Sequence, residues 1–352
     1  MRVAIVYNEP EPTAAEAHWL SRSVPGGTCL PADFRDASEY GVLDEIRVIE
    51  RAIREVGHDP RLYAVVSAAA LAEFLDRERP DVVFNCCESF RGVAALEMSV
   101  AALYDLFGVA YTGSPALTLG IALNKGLAKA LFRANDIPTP RHVVMETVAD
   151  LVHPHGLTYP LIVKPIAEDA SIGIDARAVV HDHAATAQRV EFVWSEFKQP
   201  ALAEEFIDGR ELNVGLLADS KGEFHTLPVS EIPFDTLPPG TPAIVSYDAK
   251  WVTDSPVYKA TTSKCPAVLE PALAERVRQM ALSAARAVGL RDYGRIDMRL
   301  RRGDQALFVL EANPNPDLFD EAGFMRAAMA SGRTVAATVQ QILSRAVERA
   351  RI

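Results

Sequence analysis

Long apolar runs are missing from the sequence. Nowhere in its 352 residues do about 18 apolar side chains follow one another, so no segment reads as a membrane span. The N-terminal Met1 to Asn8 stretch is too short, and too soon followed by acids and prolines, to read as a signal peptide. Cysteine is scarce: four residues, Cys29, Cys86, Cys87 and Cys265, with no CxxC pair and no metal-ligand spacing. That excludes a disulfide-stapled scaffold and suits the reduced thiols of a cytoplasmic protein. Positive charge is in deficit as well, with 36 Lys and Arg against 47 Asp and Glu for a formal net charge of −11. A chain of that sign repels phosphate backbones, which excludes a broad nucleic-acid footprint. Any anionic small ligand must then be met by local cations working against the field of the whole molecule. Internal repeats and low-complexity tracts are absent too.

What is present is ordinary globular material, 49% apolar and 24% charged, long enough at roughly 150 residues per domain for two to three domains. Val3 to Tyr7, Arg61 to Val66 and Asp81 to Phe84 read as strands. Gly41 to Val56, Ala68 to Asp76 and Val93 to Phe107 read as helices, the last stopped by Gly108. Strands alternating with helices imply a parallel sheet covered on both faces. Between Asn8 and Asp36 lies an aperiodic stretch rich in Glu, Pro, Gly and Ser; surface excursion and loop over a site are both open readings. The pairs His153/His155 and His181/His183 lie in polar connections and read as solvated surface. Further on, a helix and strand occupy Asn124 to Met145, and Leu161 to Lys164 is a strand leading into the small, acidic loop Ile166 to Gly173. Ala201 to Ile207 and Glu211 to Leu217 read as two strands joined by an Asp208-Gly209 turn. A Pro-rich, poorly patterned segment (Pro228 to Pro266) precedes helix Pro271 to Val288, two strands and the amphipathic helix Thr334 to Arg349.

The chemistry concentrates in those two strands, Tyr293 to Leu300 and Ala306 to Asn313. Folded as a hairpin centred near Asp304, they set Asp297 opposite Glu311 and Arg295 opposite Asn313, all on one face. Ile296, Met298, Leu310 and Ala312 then face a core. Two carboxylates across a ladder repel unless positive charge lies between them, and Asp, Glu and Asn offer the hard oxygens that suit magnesium. Lys164, ending an apolar strand before a flexible loop, is placed to hold a phosphate as a point charge, with Ser171 and Gly173 allowing close backbone approach. Lys125 and Lys129 open a helix after Asn124, and one of them is available for further positive charge.

In order along the chain, Tyr111-Thr-Gly-Ser114, Ala122-Leu-Asn-Lys125, Asp136-Ile-Pro138, Ile162-Val-Lys-Pro165, Gly294-Arg-Ile-Asp297 and Leu310-Glu-Ala-Asn313 follow the landmarks of the ATP-grasp ligases. From about Asp81 onward the chain resembles the D-alanine–D-alanine ligase branch. The resemblance implies an α/β ATP-grasp fold of three α/β subdomains: a parallel open-sheet domain over 1–123, a central lid over 124–206 and a C-terminal subdomain with the metal hairpin over 207–352. It implies ATP and two magnesium ions, with manganese as a substitute, and small-molecule carboxylate and amine substrates. Lys125 and Lys164 match its ATP-phosphate lysines, Glu204, Glu205 and Ile207 the strand that reads adenine, and Glu211 the acid on the ribose. Asp297, Glu311 and Asn313 match the metal ligands, Arg295 the arginine that stabilises the acyl-phosphate and tetrahedral species, and Lys250 a lysine near the second substrate. The family is commonly homodimeric. The implied reaction is ADP-forming amide synthesis through an acyl phosphate, and such chemistry rests on charge neutralisation and positioning.

The departures concern the substrate. A Gly-Ser-Ser run in the family's phosphate loop is here Asp169-Ala170-Ser171, and the tyrosine that its serine meets is Trp251, so closure calls for another contact. Asn313 continues into Pro-Asn-Pro-Asp317, with Ala322 near a serine that holds the second substrate's carboxylate. Asp317, Asp320 and Glu321 make that edge acidic, better suited to an amine or guanidinium. Glu39 is an approximate counterpart of the family's N-terminal glutamate, although an acid at a helix start also suits the helix dipole. These departures favour substrates other than D-alanine twice over. Authentic D-alanyl-D-alanine synthesis and a catalytically silent ATP-binding regulator are the alternatives.

Overall fold

The computed structural model describes residues 1–8, 36–147, 150 and 156–350, the side chains of 36–41 excepted. Cys29, His153, His155 and the stretch between Asn8 and Asp36 lie outside the described residues. Strand β1 (Arg2–Asn8) is followed by helix α1 (Asp36–Glu55), β2 (Asp59–Val65), α2 (Ala68–Glu78), β3 (Val82–Cys86) and α3 (Glu97–Leu106). The three strands pair in parallel in the order β2-β1-β3. Val3, Ala4, Ile5 and Val6 are all buried, as an unbroken apolar strand between two helical layers requires. Val42, Ile46, Ile49 and Ile53, one stripe of α1, are buried on one face of this sheet. Leu71 and Leu75 of α2 and Val100 and Tyr104 of α3 cover the other.

Helices α4 (Ala116–Leu123) and α5 (Lys125–Ala134) lead to β4 (His142–Met145), β5 (Leu161–Pro165), β6 (Val179–Val180), α6 (His183–Phe197) and β7 (Ala201–Glu205). These strands form a four-stranded antiparallel sheet in the order β4-β7-β5-β6. The chain continues through β8 (Gly209–Ala218), β9 (Phe224–Thr226), β10 (Ser230–Ile232), α7 (Tyr247–Trp251), α8 (Pro256–Ala260), α9 (Pro271–Val288), β11 (Tyr293–Arg301) and β12 (Leu307–Asn313). Here the sheet order is β10-β8-β11-β12, with β9 also on β8. Helices α10 (Gly323–Ala330) and α11 (Val335–Arg349) return to the first sheet, where Met325, Val339, Ile342 and Leu343 share a core with Ile49 and Ile53 of α1.

Three expectations are corrected. β7 and β8 do not form a hairpin: each pairs within a different sheet, and Asp208-Gly209 is the crossing between them. Glycine is required there because a Cβ would lie 2.0 Å from the Leu300 carbonyl oxygen. The β11–β12 ladder has the expected register from Arg295↔Asn313 to Asp297↔Glu311, then a bulge shifts Met298 onto Val309. Val309 therefore takes the core position, and Leu310 is only partly buried. Finally, α4, α6 and α10 were not foreseen; for α4 the reason is that Ala-Leu-Thr-Leu-Gly-Ile-Ala-Leu is apolar on every side and lacks a helical period.

Candidate active site

Asn124 caps α5, its side-chain oxygen accepting from the Leu127 amide at 3.1 Å, which makes Lys125 the first helical residue and sets Lys129 one turn later on the same face. Lys129 is fully buried with Nζ 2.8 Å from Glu204, and Lys164 of β5 reaches the same carboxylate at 2.7 Å. Lys129 also donates to Thr139 and to the Leu310 carbonyl at the bulge. Burial alone would raise the Glu204 pKa, but the two ammonium groups outweigh it and hold the carboxyl at about 2. For Lys129 the balance runs the other way: burial dominates and lowers its pKa, because it shares one anion with a second cation. Glu204 thus sets the position of the two lysines, and its side chain is committed to them. Glu205, the next residue, turns outward to Arg141 and the Thr158 amide, while Ile207 is buried.

Lys125 points across to the β11–β12 hairpin. Its Nζ donates to the Glu168 carbonyl at 2.6 Å and lies 3.3 Å from Asp169 and 3.4 Å from Glu311. Despite the cost of burial, these carboxylates raise its pKa, and Lys125 with Lys164 and Arg295 holds Glu311 at about 2. On β11 the Arg295 guanidinium grips Asp297 through Nε at 2.7 Å and Nη2 at 2.8 Å. Asn313 donates to the same carboxylate at 2.9 Å, and Asn213 of β8, unforeseen in the sequence, donates at 2.7 Å from the opposite register position. Asn313 Oδ1 has no hydrogen-bond partner among the described residues. No three His, Cys, Asp or Glu side chains converge on a metal position among the described residues. The donor set present, two opposed carboxylates and one free amide oxygen, fits magnesium or manganese completed by water and phosphate oxygens.

The loop after β5 closes over this hairpin. Ala170 and Ser171 both adopt left-handed backbone, with φ of 55° and 59°. Ser171 Oγ donates to the Val245 carbonyl at 2.8 Å, and the Trp251 indole donates to the Ala170 carbonyl at 2.9 Å. The contact that replaces the serine–tyrosine pair is therefore a side chain meeting main chain, and Ala170 and Trp251 both pack against the core of the four-stranded sheet. Lys250 is exposed, its Nζ 5.0 Å from the Trp251 ring centre. Glu211 is buried and ion-paired at 2.8 Å with Arg299, whose guanidinium stacks over Phe206 and Phe234.

Ser171, Glu211, Lys250, Trp251, Arg295, Asp297, Glu311, Asn313 and Asp317 all line one cleft of about 470 Å³. Lys125, Lys164 and Glu204 are not among its lining residues; Lys125 reaches the lining through Glu311, at 3.4 Å. Glu39 lies in α1, but its side chain is outside the described residues. The far end of the cleft holds an acid that the sequence did not single out: Glu45, one to two turns along α1, is 6% exposed and accepts from the Leu318 amide at 2.8 Å. Burial first, then Asp317 and Glu88, raise its pKa. A buried Glu inside a helix with an apolar stripe was the signal available for it. Cys86, Cys87 and Cys265 are free thiols; His181 is exposed in a connection as expected, whereas His183 is exposed but opens helix α6 and not a polar connection.

The chain matches the family model "D-ala D-ala ligase C-terminus" over residues 131–344. The chain belongs to the D-alanine–D-alanine ligase family. It is 31% identical over 335 residues to the D-alanine–D-alanine ligase of Sphingopyxis alaskensis, covering 94% of this chain and 98% of the relative. It is 33% identical over 300 residues to the uncharacterized protein y4sG of Sinorhizobium fredii, covering 83% of this chain and 84% of that one. The structure of D-alanine–D-alanine ligase from Bacillus anthracis complexed with ATP superposes with a TM-score of 0.71 at 16% identity, covering 100% of this chain and 98% of the other. The fold is thus the α/β ATP-grasp fold, in a family of ATP-dependent ligases. Among the described residues no helix is long and apolar enough to cross a membrane.

Proposed function

We propose that the chain is an ADP-forming carboxylate–amine ligase that joins two small molecules through an acyl phosphate. The observation that carries this reading is the pairing of Asp297 with Glu311 across the hairpin, flanked by Arg295 on one side and Lys125 on the other. In this reading a substrate carboxylate attacks the γ-phosphate of ATP, forming an acyl phosphate and ADP. An amine then attacks the acyl carbon, an amide forms, and phosphate leaves. Lys125 and Lys164 neutralise phosphate oxygens, and Glu204 fixes where Lys164 can reach. Arg295 stabilises the oxyanion of the tetrahedral species. Asp297, Glu311 and Asn313 would hold divalent cations, two of them by the family resemblance, which supply charge neutralisation on the phosphates. Trp251 and Ser171 hold the loop down so that water is kept from the acyl phosphate.

The substrates we favour are amino acids, or an amino acid and a small carboxylate, other than D-alanine twice. Ala322 offers no hydroxyl for a carboxylate, and Asp317 and Glu45 make that end of the cleft acidic. Synthesis of D-alanyl-D-alanine is the second reading, supported by the printed names of relatives such as the Sphingopyxis protein. A coupled ADP-release assay over D- and L-amino acids, singly and in pairs, tests both. ADP release with D-alanine as the sole amino acid would establish the second reading. Undiminished amine-dependent ADP release by Glu311→Gln would overturn the placement of the metal site.

A further inference from the structure

Behind one wall of the cleft a guanidinium is tied down on every side. Arg299 of β11 is 4% exposed and does not line the cleft, whereas Glu211, its register partner on β8, does. Arg299 Nη2 lies 2.8 Å from Glu211 Oε2 and donates to the Ala243 carbonyl at 2.6 Å, and Nη1 donates to the Gly209 carbonyl at 3.2 Å. The ring centres of Phe234 and Phe206 lie 4.8 and 5.7 Å from its central carbon. The strand crossing, the Pro-rich segment and two rings thus fix the guanidinium, and its planar fork fixes the acid. Glu211 itself is not shut in. Beyond this ion pair no described residue donates to it, and neither carboxylate oxygen is sealed off. The anion faces the cleft and the cation stands behind it.

Resting on the ATP-dependent ligase reading above, we propose that Arg299 is a positioning residue: it holds Glu211 as a fixed anion on the cleft wall, so that the site takes nucleotides with free sugar hydroxyls and discriminates against those without them. The register supplies the distance. Asp297 pairs with Asn213 on the same two strands, and Arg299 with Glu211 follows two residues on, about 7 Å along the same face. A nucleotide whose phosphates are met at Asp297 and Glu311 therefore carries its sugar over Glu211. A buried ion pair is not needed to join two strands, since apolar residues of similar volume do so equally well. Burial pushes the Glu211 carboxyl up, and Arg299 is the strongest influence in the other direction. A carboxylate kept charged accepts a hydrogen bond from each of two hydroxyls, and such bonds are stronger than those to a neutral acceptor.

Calorimetric titration of the full chain with Mg-ADP and with Mg-2′,3′-dideoxy-ADP reads the ratio of the two affinities. We expect the parent to favour ADP at least about tenfold, and Arg299→Met to cut that ratio to about threefold or less by weakening ADP alone. Arg299→Lys keeps the charge without the fork and should fall between the two. Glu211→Gln should lose the ratio as well, and adding Arg299→Met to it should cost neither nucleotide anything more. That double variant buries no unpaired charge, so with Arg299→Lys it carries the test where Arg299→Met does not fold. Equal weakening of both nucleotides in Arg299→Met, or further weakening in the double variant, would show a merely structural role and overturn the inference. A parent that binds both nucleotides alike would overturn it too, and either result leaves the ligase reading intact. The expected ratios, with no ADP release from Mg-ATP and any pair of amino acids, would support the inference and overturn the ligase reading. No binding of either nucleotide would overturn both.

Discussion

The Trp251 indole nitrogen donates to the Ala170 carbonyl at 2.9 Å, so the loop over the β11–β12 hairpin is latched by main chain where the family resemblance implies two side chains. Replacing Trp251 with Phe keeps most of the ring packing and removes the donor. A hydrogen bond of this kind is worth about 1 kcal/mol net. We expect faster amide exchange across 166–173 in Trp251→Phe and ADP release reduced about five- to tenfold. Unchanged exchange in that loop would show that packing alone holds it.

Glu204 is the anion between two buried lysines, and Glu204→Gln would leave both uncompensated. Loss of one partner from a buried ion pair typically costs about 3–5 kcal/mol, and a denaturant titration should show a drop of that order. The pH dependence follows from the sign of the shift. Glu204 sits at about 2 in the folded chain against an ordinary 4.5, so its stabilisation is present above pH 4.5 and lost as pH falls toward 2. In Glu204→Gln the fall in stability across that window should be shallower by about 2–3 kcal/mol.

Glu45 behaves in the opposite sense. Burial raises its folded pKa, so its ionisation opposes folding as pH rises from its ordinary value to its folded one. Glu45→Gln should therefore have a higher Tm than the parent at pH 8 and the same Tm near pH 4. An equal gain at both pH values would point to packing as its origin and not charge.

Gly209 has no room for a side chain. Gly209→Ala would drive Cβ against the Leu300 carbonyl oxygen at 2.0 Å, a backbone atom that cannot rotate away. We expect a loss of about 3 kcal/mol or more, read as a large fall in the urea midpoint or in soluble yield. Gly323→Ala is the control, since nothing lies within 4 Å of its Cβ position and its backbone is outside the left-handed region.

Chelation by EDTA should abolish ADP release, and magnesium or manganese should restore it, because Asp297 and Glu311 otherwise lie unbridged across the ladder. Calorimetric titration of magnesium into the chain with ADP should give binding that Glu311→Gln weakens at least about tenfold. Equal affinity in that variant would place the ion elsewhere.

Local chemistry made much of this legible. Strand alternation was enough to set Arg295, Asp297, Glu311 and Asn313 on one face, and the apolar stripe of α1 gave its buried side. The errors share a cause: they arose where partners distant in sequence decide the outcome. An Asp-Gly pair between two strands reads as a hairpin, yet β4 and β5 claim one strand and β11 the other. Leu310 alternated correctly until a bulge, set by contacts of Thr139 and Lys129 with the strand, shifted the register. Asn213 and Glu45 reach the site from elements 84 and 272 residues away from Asp297 and Asp317 respectively, and no local pattern marks them.

The return of α10 and α11 to the first sheet has a mechanical consequence. Arg349 at the end of α11 is ion-paired with buried Asp292 and donates to the Tyr111 carbonyl, so the beginning and end of the chain are riveted into one body. The four-stranded sheet joins that body through two crossings, Asp136–Arg141 with its prolines Pro138 and Pro140, and Phe206–Gly209. Residues of the first and third sheets thus share one core, whereas the four-stranded sheet keeps a core of its own, joined by Tyr247 and Trp251 of α7.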